Sequence, residues 1–498
     1  MMLIFSSMML IFPVYQGRLM NSSCKGDSGY SFDRINYLLI TSKKLEDHIN
    51  AYGGEERLRL AIEIGKFSFF FKKTFNQKTI LKKLYMLNYK MIPWLMIILL
   101  FSILMKSYGQ IKGTLWDVQD IYKVPKYKII SSDSVVGIIY DGLAYKKHSQ
   151  NVFAYYSSPG IISGDRSKDK NLPAVVLVHG GGGAAFSQWV ALWARRGYLA
   201  IAMDWRGNGP DGKHIENGFE EVDGQTPIYR ITPNLEDQWM YQAVANVILA
   251  HNLVRSFSEV DTNRTALIGI SWGGVITCTV AGLDERFQVA VPVYGCGFFP
   301  TSVSLAHGLD ALNIKDRATW LRQYDPLHYV GNAKMPMLFV DGPNDPAFYL
   351  DSYARTYKLV KNKVLSIEMG LLHGHYGHGS GWEIKEPYYF IDSYLKNTKP
   401  LCKIGNPKIK GREIRYPLQS YVSVKKAYLN YTTDTASMLM NRKWNSIEIP
   451  FTKNRIISSL PPLGTTIWYN SIIDERGLIT SGEVQFKDEK IKSLVNYR

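Results

Sequence analysis

Ser271 stands in the stretch Thr265–Thr277, TALIGISWGGVIT. Ala266–Ile268 is a short apolar run suited to a buried strand, and Val275–Val280 continues with residues a helix accepts. Between them, Gly269-Ile270-Ser271-Trp272-Gly273 forms the G-x-S-x-G turn of a nucleophile elbow. The spacing has a physical reason: a serine on so tight a turn has strained backbone dihedrals, and flanking glycines leave out Cβ atoms that would strike the neighbouring chain. The hydroxyl then stands above a helix N-terminus, where amides and the helix dipole favour an oxyanion. A serine needs a base and an acid to attack a carbonyl, and the chain offers both further on. Met337–Val340 leads into Asp341-Gly342-Pro343-Asn344-Asp345, and Val364–Met369 leads into His373-Gly374-His375. The same motif without chemistry would be a Gly-rich turn carrying a surface serine; the downstream acid and histidine argue against that.

Asp345 follows the turn after its strand at the G-x-x-D offset and is the favoured acid, with Asp341 as a brace. His373 is the first histidine past its strand and the favoured base, with His375 as the alternative. His373, His375 and His378 also spell H-x-H-x-x-H, but no carboxylate pattern accompanies them, so no metal site is assigned. His179-Gly180-Gly181-Gly182-Gly183 follows the apolar run Ala174–Val178. Glycines there let amides approach a developing charge, so Gly181 and Trp272 are the expected oxyanion donors. A phosphate-binding loop is disfavoured, because neither G-x-G-x-x-G with a distant acid nor a Walker lysine is present. Trp205, Phe348 and Trp382 are candidate substrate-binding aromatics, with Trp272 and Tyr349 close by in sequence.

The elements that must position these groups read in order. Tyr127–Ile130, Val135–Tyr140 and Asn151–Ser157 form an antiparallel entry to a sheet. Phe186–Arg196 is a helix and Tyr198–Met203 a strand ending in Asp204-Trp205-Arg206-Gly207-Asn208-Gly209. Residues 207–233 lack periodicity and predict an irregular excursion near the site. Leu235–Ser256 is a long helix with Trp239, Ala243, Val247, Ala250 and Val254 at helical spacing. Phe287–Val293 is the strand after the elbow. Beyond residue 405, short runs at Lys425–Asn430, Ser446–Pro450, Arg455–Ser459, Thr465–Asn470 and Val484–Phe486 support a separate all-β module. That module either binds sugar or packs beside the site, and packing is favoured because no exposed aromatic row is readable.

The 498 residues carry a net charge of +16, of which residues 1–109 supply half with 15 Lys and Arg against 7 Asp and Glu. The body is therefore only mildly basic, and no Lys/Arg block suggests a nucleic-acid groove. Met91–Met105 is an uncharged apolar run after Lys82, Lys83 and Lys90, with Ser107 and Gly109 at −3 and −1 of a Gly109/Gln110 cut. That is the layout of a signal peptide over 86–109, and the run is short for a span of about 20 residues. The expectation is a secreted or periplasmic protein without a stable membrane anchor. Residues 1–85 read as a doubtful extension from an over-extended start, or as a small helical domain before one membrane helix. Of Cys24, Cys278, Cys296 and Cys402, only a Cys278–Cys296 pair comes into question, and geometry decides it.

The motifs VLVHGGGG, AMDWRGNG, VDTNRTALIGISWGG, VAGLDERF, VPVYGCGFF, MLFVDGPNDPAF and LLHGHYGHGSGW together resemble the secreted acetyl xylan esterase and dienelactone hydrolase-like group within the prolyl-oligopeptidase-type hydrolases. The chain order nucleophile, acid, histidine is that of α/β-hydrolases. The resemblance runs from about Gly137 to Leu478, and its C-terminal part is similar to a small β-sandwich found after such hydrolases. It implies an α/β-hydrolase with a mostly parallel central sheet over 110–400 and an accessory β-sandwich over 405–498. It also implies Ser271 as nucleophile, Asp345 as acid and His373 as base. The implied activity is cofactor-free ester hydrolysis through an acyl-enzyme, on a small-molecule or polysaccharide ester. Two alternatives stay open: a serine peptidase of prolyl-oligopeptidase type, and a non-catalytic carbohydrate-binding protein on a hydrolase fold. The oligomeric state is not readable. Protein exported by its native host is expected to begin at Gln110 on N-terminal sequencing; a mature chain starting upstream of Met86 would refute the processing signal.

Overall fold

The computed structural model describes residues 114–116, 121–220, 228–301, 308–375, 381–411, 413–434 and 439–487. The chain divides into two units, Met1–Gly109 and Gln110–Arg498, and every described residue belongs to the second. The readings of 1–85, 86–109 and His378 lie outside the described residues. Among the described residues, no helix is long and apolar enough to cross a membrane.

The apolar runs become strands of one twisted sheet. β1 (Tyr127–Ser132), β2 (Val136–Asp141) and β3 (Asn151–Ser157) are antiparallel, as is the pairing of β3 with β5 (Leu199–Met203). From β5 the order runs β4 (Leu172–Val178), β6 (Val260–Ile270), β7 (Val289–Val293), β8 (Met337–Asp341) and β9 (Lys363–Ile367), all parallel neighbours. Every residue of β4, β5, β7 and β8 is buried. That explains their unbroken apolar sequences, because crossover helices cover both faces of such strands.

Helices lying wholly among the described residues are α1 (Pro159–Ser163), α2 (Ser187–Arg195), α3 (Trp239–Arg255), α4 (Trp272–Leu283), α5 (Ile314–Tyr324), α6 (Leu350–Lys358) and α7 (Glu386–Leu395). Alternation along β4 shows how they divide. Val175 and Leu177 pack with Trp189 and Trp193 of α2 and Phe390 and Ile391 of α7. Val176 and Val178 face the other way, into a core shared with α3, α4 and α6. The result is a three-layer α/β/α catalytic body. Five apolar positions predicted at helical spacing in α3 are buried, but so are its polar residues Gln242, Asn246, His251 and, on the opposite face, Asn252. The segment before β1 covers that face: the Asn252 amide donates to the carbonyls of Ile121 (2.7 Å) and Lys123 (2.8 Å). Residues 207–220 and 228–233 contain neither helix nor strand, as their composition predicts.

The C-terminal strands depart from the expectation of a separate module. β12 (Glu413–Gln419), β16 (Arg455–Ser459), β10 (Lys403–Ile404), β11 (Lys408–Lys410) and β15 (Phe451–Thr452) form one sheet. β13 (Val424–Thr432), β14 (Asn445–Glu448), β17 (Ile467–Asp474), β18 (Ile479–Ser481) and β19 (Gln485–Phe486) form the other. Ile414, Tyr416, Leu429, Ile456 and Ile472 meet in the core they share. The second of these sheets continues the catalytic sheet, because β18 pairs antiparallel with β9 at Ser481 and Leu365. Side chains reinforce the short seam: Ile367 N donates to Ser481 Oγ (3.0 Å) and Ser366 Oγ to the Ile479 carbonyl (2.9 Å). Capping β9 in this way removes an edge strand that would otherwise be open. Hydrophobic pattern marks the strands but carries no signal for a two-residue serine seam.

A Cβ added to Gly273 would collide with the Val178 carbonyl oxygen and lie 2.6 Å from that of His179. Gly273→Ala is therefore expected to cost about 1–3 kcal/mol, as overpacking of a rigid site does. Thermal unfolding checks this, and a wild-type melting temperature would contradict the close approach of α4 to β4.

Candidate active site

Ser271 caps α4 with φ 59° and ψ −121°, a left-handed backbone costing a non-glycine residue about 1–3 kcal/mol. The surroundings enforce it. Its amide donates to the Val293 carbonyl (3.0 Å), and its carbonyl accepts from Val275 N (3.1 Å) as the helix begins. A Cβ on Gly269 would strike the Gly273 carbonyl oxygen, and one on Gly295 would strike that of Ser271. The elbow fits only because these positions are glycine.

The two loops beyond β8 and β9 bring the other groups. His373 Nδ1 lies 2.7 Å from Asp345 Oδ2, and its Nε2 lies 2.9 Å from Ser271 Oγ. A carboxylate only accepts, so Nδ1 carries the proton and Nε2 is left to receive the serine hydroxyl. Asp345 Oδ1 is occupied by the amides of Ala347 (2.8 Å) and Phe348 (2.7 Å), which leaves Oδ2 for the imidazole. The structure thus joins Ser271, His373 and Asp345 in one hydrogen-bonded line. Asp341 is outside it: fully buried, its Oδ1 accepts its neighbour Gly342 N (2.9 Å). Burial, and then the charge of Asp345, pushes its carboxyl well above the ordinary range.

His375 has a different task. Its Nε2 accepts from the Gly180 amide at 2.6 Å, and its ring rests on Phe186. Burial, with His373 beside it, lowers its pKa to about 4, so it stays neutral at neutral pH. An imidazole whose acceptor nitrogen already holds an amide cannot also take the serine proton. With Gly180 engaged, the amides of Gly181 and Trp272 remain; neither has a hydrogen-bond partner among the described residues. Gly181 lies over the Trp272 ring, where an added Cβ would come within 2.6 Å of Trp272 Cδ1. His179 holds the loop from beneath. Burial depresses its pKa to about 3, and its Nδ1–H donates to the Gly180 carbonyl at 2.7 Å.

The expected substrate aromatics are placed differently from one another. Trp205 is 3% exposed, stacks on His179 at 5.2 Å and donates through Nε1 to the His179 carbonyl (2.9 Å). Phe348 is buried between Trp272 (6.2 Å) and His373 (6.1 Å). An indole or phenyl this well covered braces its neighbours, here His179 and the ring pair Trp272 and His373. Trp382 is half-buried on Trp189 and Phe186, and its amide donates to the His375 carbonyl (3.2 Å). Tyr294, at the end of β7, was not singled out by sequence. It has φ 34°, its ring lies 4.5 Å from that of His373, and its hydroxyl donates to the Gly374 carbonyl. The signal was available in its place just past a strand's C-terminal end, where this fold gathers its functional side chains. Cys278 and Cys296 are free and buried, so no disulfide joins them.

A parallel sheet between helix layers, with an elbow serine and its hydrogen-bonded histidine and acid, defines a serine hydrolase of the α/β-hydrolase fold. The comparisons agree with a serine hydrolase of the α/β-hydrolase type. Residues 122–338, somewhat under half of the chain, match the acetyl xylan esterase family model. That match contains Ser271 and the glycine loop but ends before Asp345 and His373. Residues 5–86 match a family of unknown function (DUF6786). The acylamino-acid-releasing enzyme of Sus scrofa is 24% identical over 251 residues, 46% of this chain and 31% of that protein. An uncharacterized peptidase of Bacillus subtilis, YuxL, is 26% identical over 192 residues, 35% of this chain and 26% of its own. The chain thus spans about a third or less of these relatives' length. Among solved structures, an acetyl xylan esterase from Paenibacillus sp. R4 has a TM-score of 0.42 at 20% identity, covering 56% of this chain and 92% of that one.

The two histidines separate by mutation. His373→Ala is expected to lower kcat for ester hydrolysis at least about 10⁴-fold. His375→Gln, which disturbs only the glycine loop, is expected to cost less than about 10²-fold. Steady-state kinetics on a chromogenic acetate ester decide, and the reverse ranking would exchange their roles.

Proposed function

We propose that this chain is a carboxylic-ester hydrolase that removes short acyl groups, acetyl above all, from an acetylated polysaccharide such as xylan. The observation that carries the reading is the Ser271–His373–Asp345 line beside a crowded wall of rings. Trp272, the residue after the serine, is packed by Trp239 (5.2 Å), Phe299 (5.5 Å), Phe348 (6.2 Å) and Tyr229 (6.4 Å). Rings filling the space around the nucleophile leave room for a small acyl group. The match of residues 122–338 to the acetyl xylan esterase model supports the same substrate class, and the apolar run Met91–Met105 supports action outside the cytoplasm.

In this mechanism His373 Nε2 takes the Ser271 proton as Oγ adds to the ester carbonyl. Asp345 holds the imidazole in its Nδ1–H tautomer and stabilises the imidazolium. The amides of Gly181 and Trp272 receive the oxyanion. His373 returns the proton to the departing sugar oxygen, leaving acetyl-Ser271. Water, deprotonated by the same histidine, then releases acetate. No cofactor is required by these steps. The peptidase reading rests on the acylamino-acid-releasing relatives, and it uses the same groups on an amide.

A substrate panel tests both. kcat/KM on p-nitrophenyl acetate is expected to exceed that on the octanoate by about tenfold or more, as a pocket that excludes several methylenes demands. Acetylated xylan should release acetate, and Ser271→Ala should abolish each activity. Equal or faster turnover of octanoate would overturn the short-acyl reading. Turnover of an N-acetylalanine anilide matching that of the acetate would move the assignment to a peptidase.

A further inference from the structure

The C-terminal β module reaches back to the acid turn. Asn344, the residue before Asp345, donates its side-chain amide to the carbonyls of Arg442 (2.9 Å) and Met440 (3.0 Å), with that of Leu439 at 3.4 Å. These carbonyls belong to the segment between β13 and β14, about 95 residues away in the chain. The amide bears two hydrogens, so the two short bonds saturate it, and three surrounding acceptors fix which way it points. Beside this contact, the Tyr349 hydroxyl meets Met440 Sδ at 3.5 Å. Trp444, which follows the segment, packs on the catalytic core and against Tyr469 at 5.7 Å.

The internal bonds of the acid turn do not place it on the body. Asp345 N donates to the Gly342 carbonyl (3.2 Å), and Asp345 Oδ1 accepts from Ala347 and Phe348. Those bonds fix the carboxylate within its own turn. At its start the turn is tied to the residues after β9, where Glu368 N donates to the Asp341 carbonyl (2.8 Å). Asn344 supplies a further anchor outside the turn, at the residue adjacent to Asp345. A carboxylate must hold its imidazole to within a few tenths of an ångström, because a small misplacement of supporting groups is costly in rate.

We infer that residues 439–442 are a latch that positions Asp345 for its work on His373, with Asn344 as the positioning residue. This assigns the C-terminal module a part in the chemistry, and it rests on the reading of Asp345 as the catalytic acid. Asn344 touches no reacting atom and acts through its neighbour. Asn344→Asp places a carboxylate against three carbonyl oxygens, so it should be worse than Asn344→Ala.

The test compares Asn344→Ala, Asn344→Asp, Tyr349→Phe and Asp345→Asn in the full chain on p-nitrophenyl acetate. Melting temperatures and the low-field proton NMR resonance of His373 Nδ1–H are recorded for each. Expected are a kcat about 10- to 100-fold lower for Asn344→Ala, KM within about threefold of wild type, and a shifted or broadened resonance. Asn344→Asp should fall further, and Tyr349→Phe should move kcat in the same direction by a smaller factor. If Asn344→Ala fails to fold, Tyr349→Phe with its resonance decides by itself. Wild-type kcat and resonance in a variant that has lost thermal stability would make the contact a docking bond only and overturn the latch. Asp345→Asn separates this from the parent reading: if it retains wild-type kcat, the acid assignment itself fails. If it is inactive while folded Asn344→Ala and Tyr349→Phe match wild type, only the latch fails.

Discussion

The backbone of Ser271 is the constraint on which the site depends. A serine at φ 59° is held there by the Val293 carbonyl on one side and by the first turn of α4 on the other. Both supports work only at close range, and close range is what the glycines at 269, 273 and 295 provide. The strained turn is affordable because β4, β6 and β7, buried on both faces or nearly so, form a rigid base beneath it. Strain at a nucleophile is sustained by its surroundings, and here the sheet core supplies the excess.

A second Asp–His–hydroxyl arrangement shows that residue types and distances alone do not make a catalytic site. His251 Nδ1 lies 2.8 Å from Asp284 Oδ2, and its Nε2 lies 2.9 Å from Thr265 Oγ1. The distances match those of Ser271, His373 and Asp345. Yet Thr265, His251 and Asp284 are at most 1% exposed, and Phe287 stacks on the imidazole at 3.6 Å. Arg286 also takes both oxygens of Asp284. No substrate can reach this hydroxyl, and no elbow raises it above a helix N-terminus. The network ties α3 to the α4–β7 connection and, through Arg286 over the Tyr122 ring at 4.0 Å, to the segment before β1. Its role is to satisfy buried polar groups that α3 carries into the core.

The two histidines of the HGH loop divide the labour of the site by what each nitrogen touches. His373 meets one acceptor and one hydroxyl, an arrangement that leaves it free to move a proton. His375 is kept neutral by burial and spends its acceptor on the Gly180 amide, which leaves the Gly181 amide available for an oxyanion. Tyr294 and Phe348 close around the base, and Trp205 and His179 fix the loop opposite. The oxyanion loop, the base and the acid turn thus each have their own support, drawn from different elements.

Much of this was legible in the chain. Parallel strands buried on both faces read as unbroken apolar runs such as Ala174–Val178, and the order Ser271, Asp345, His373 followed from the turns that end those runs. Glycine spacing around Ser271 announced the elbow because no other residue fits so close an approach. The choice of His373 over His375 and Asp345 over Asp341 is only a ranking in sequence; hydrogen bonds across 28 and 102 residues join His373 and Asp345 to Ser271. How deeply Trp205 and Phe348 are covered was not legible, because pattern reports apolarity and not which neighbours cover a ring. The joining of the C-terminal strands to β9 and the reach of residues 439–442 to Asn344 left no trace in periodicity. Both consist of a few polar contacts between distant segments, and local sequence encodes which face of an element is apolar, not which distant carbonyl an amide will find.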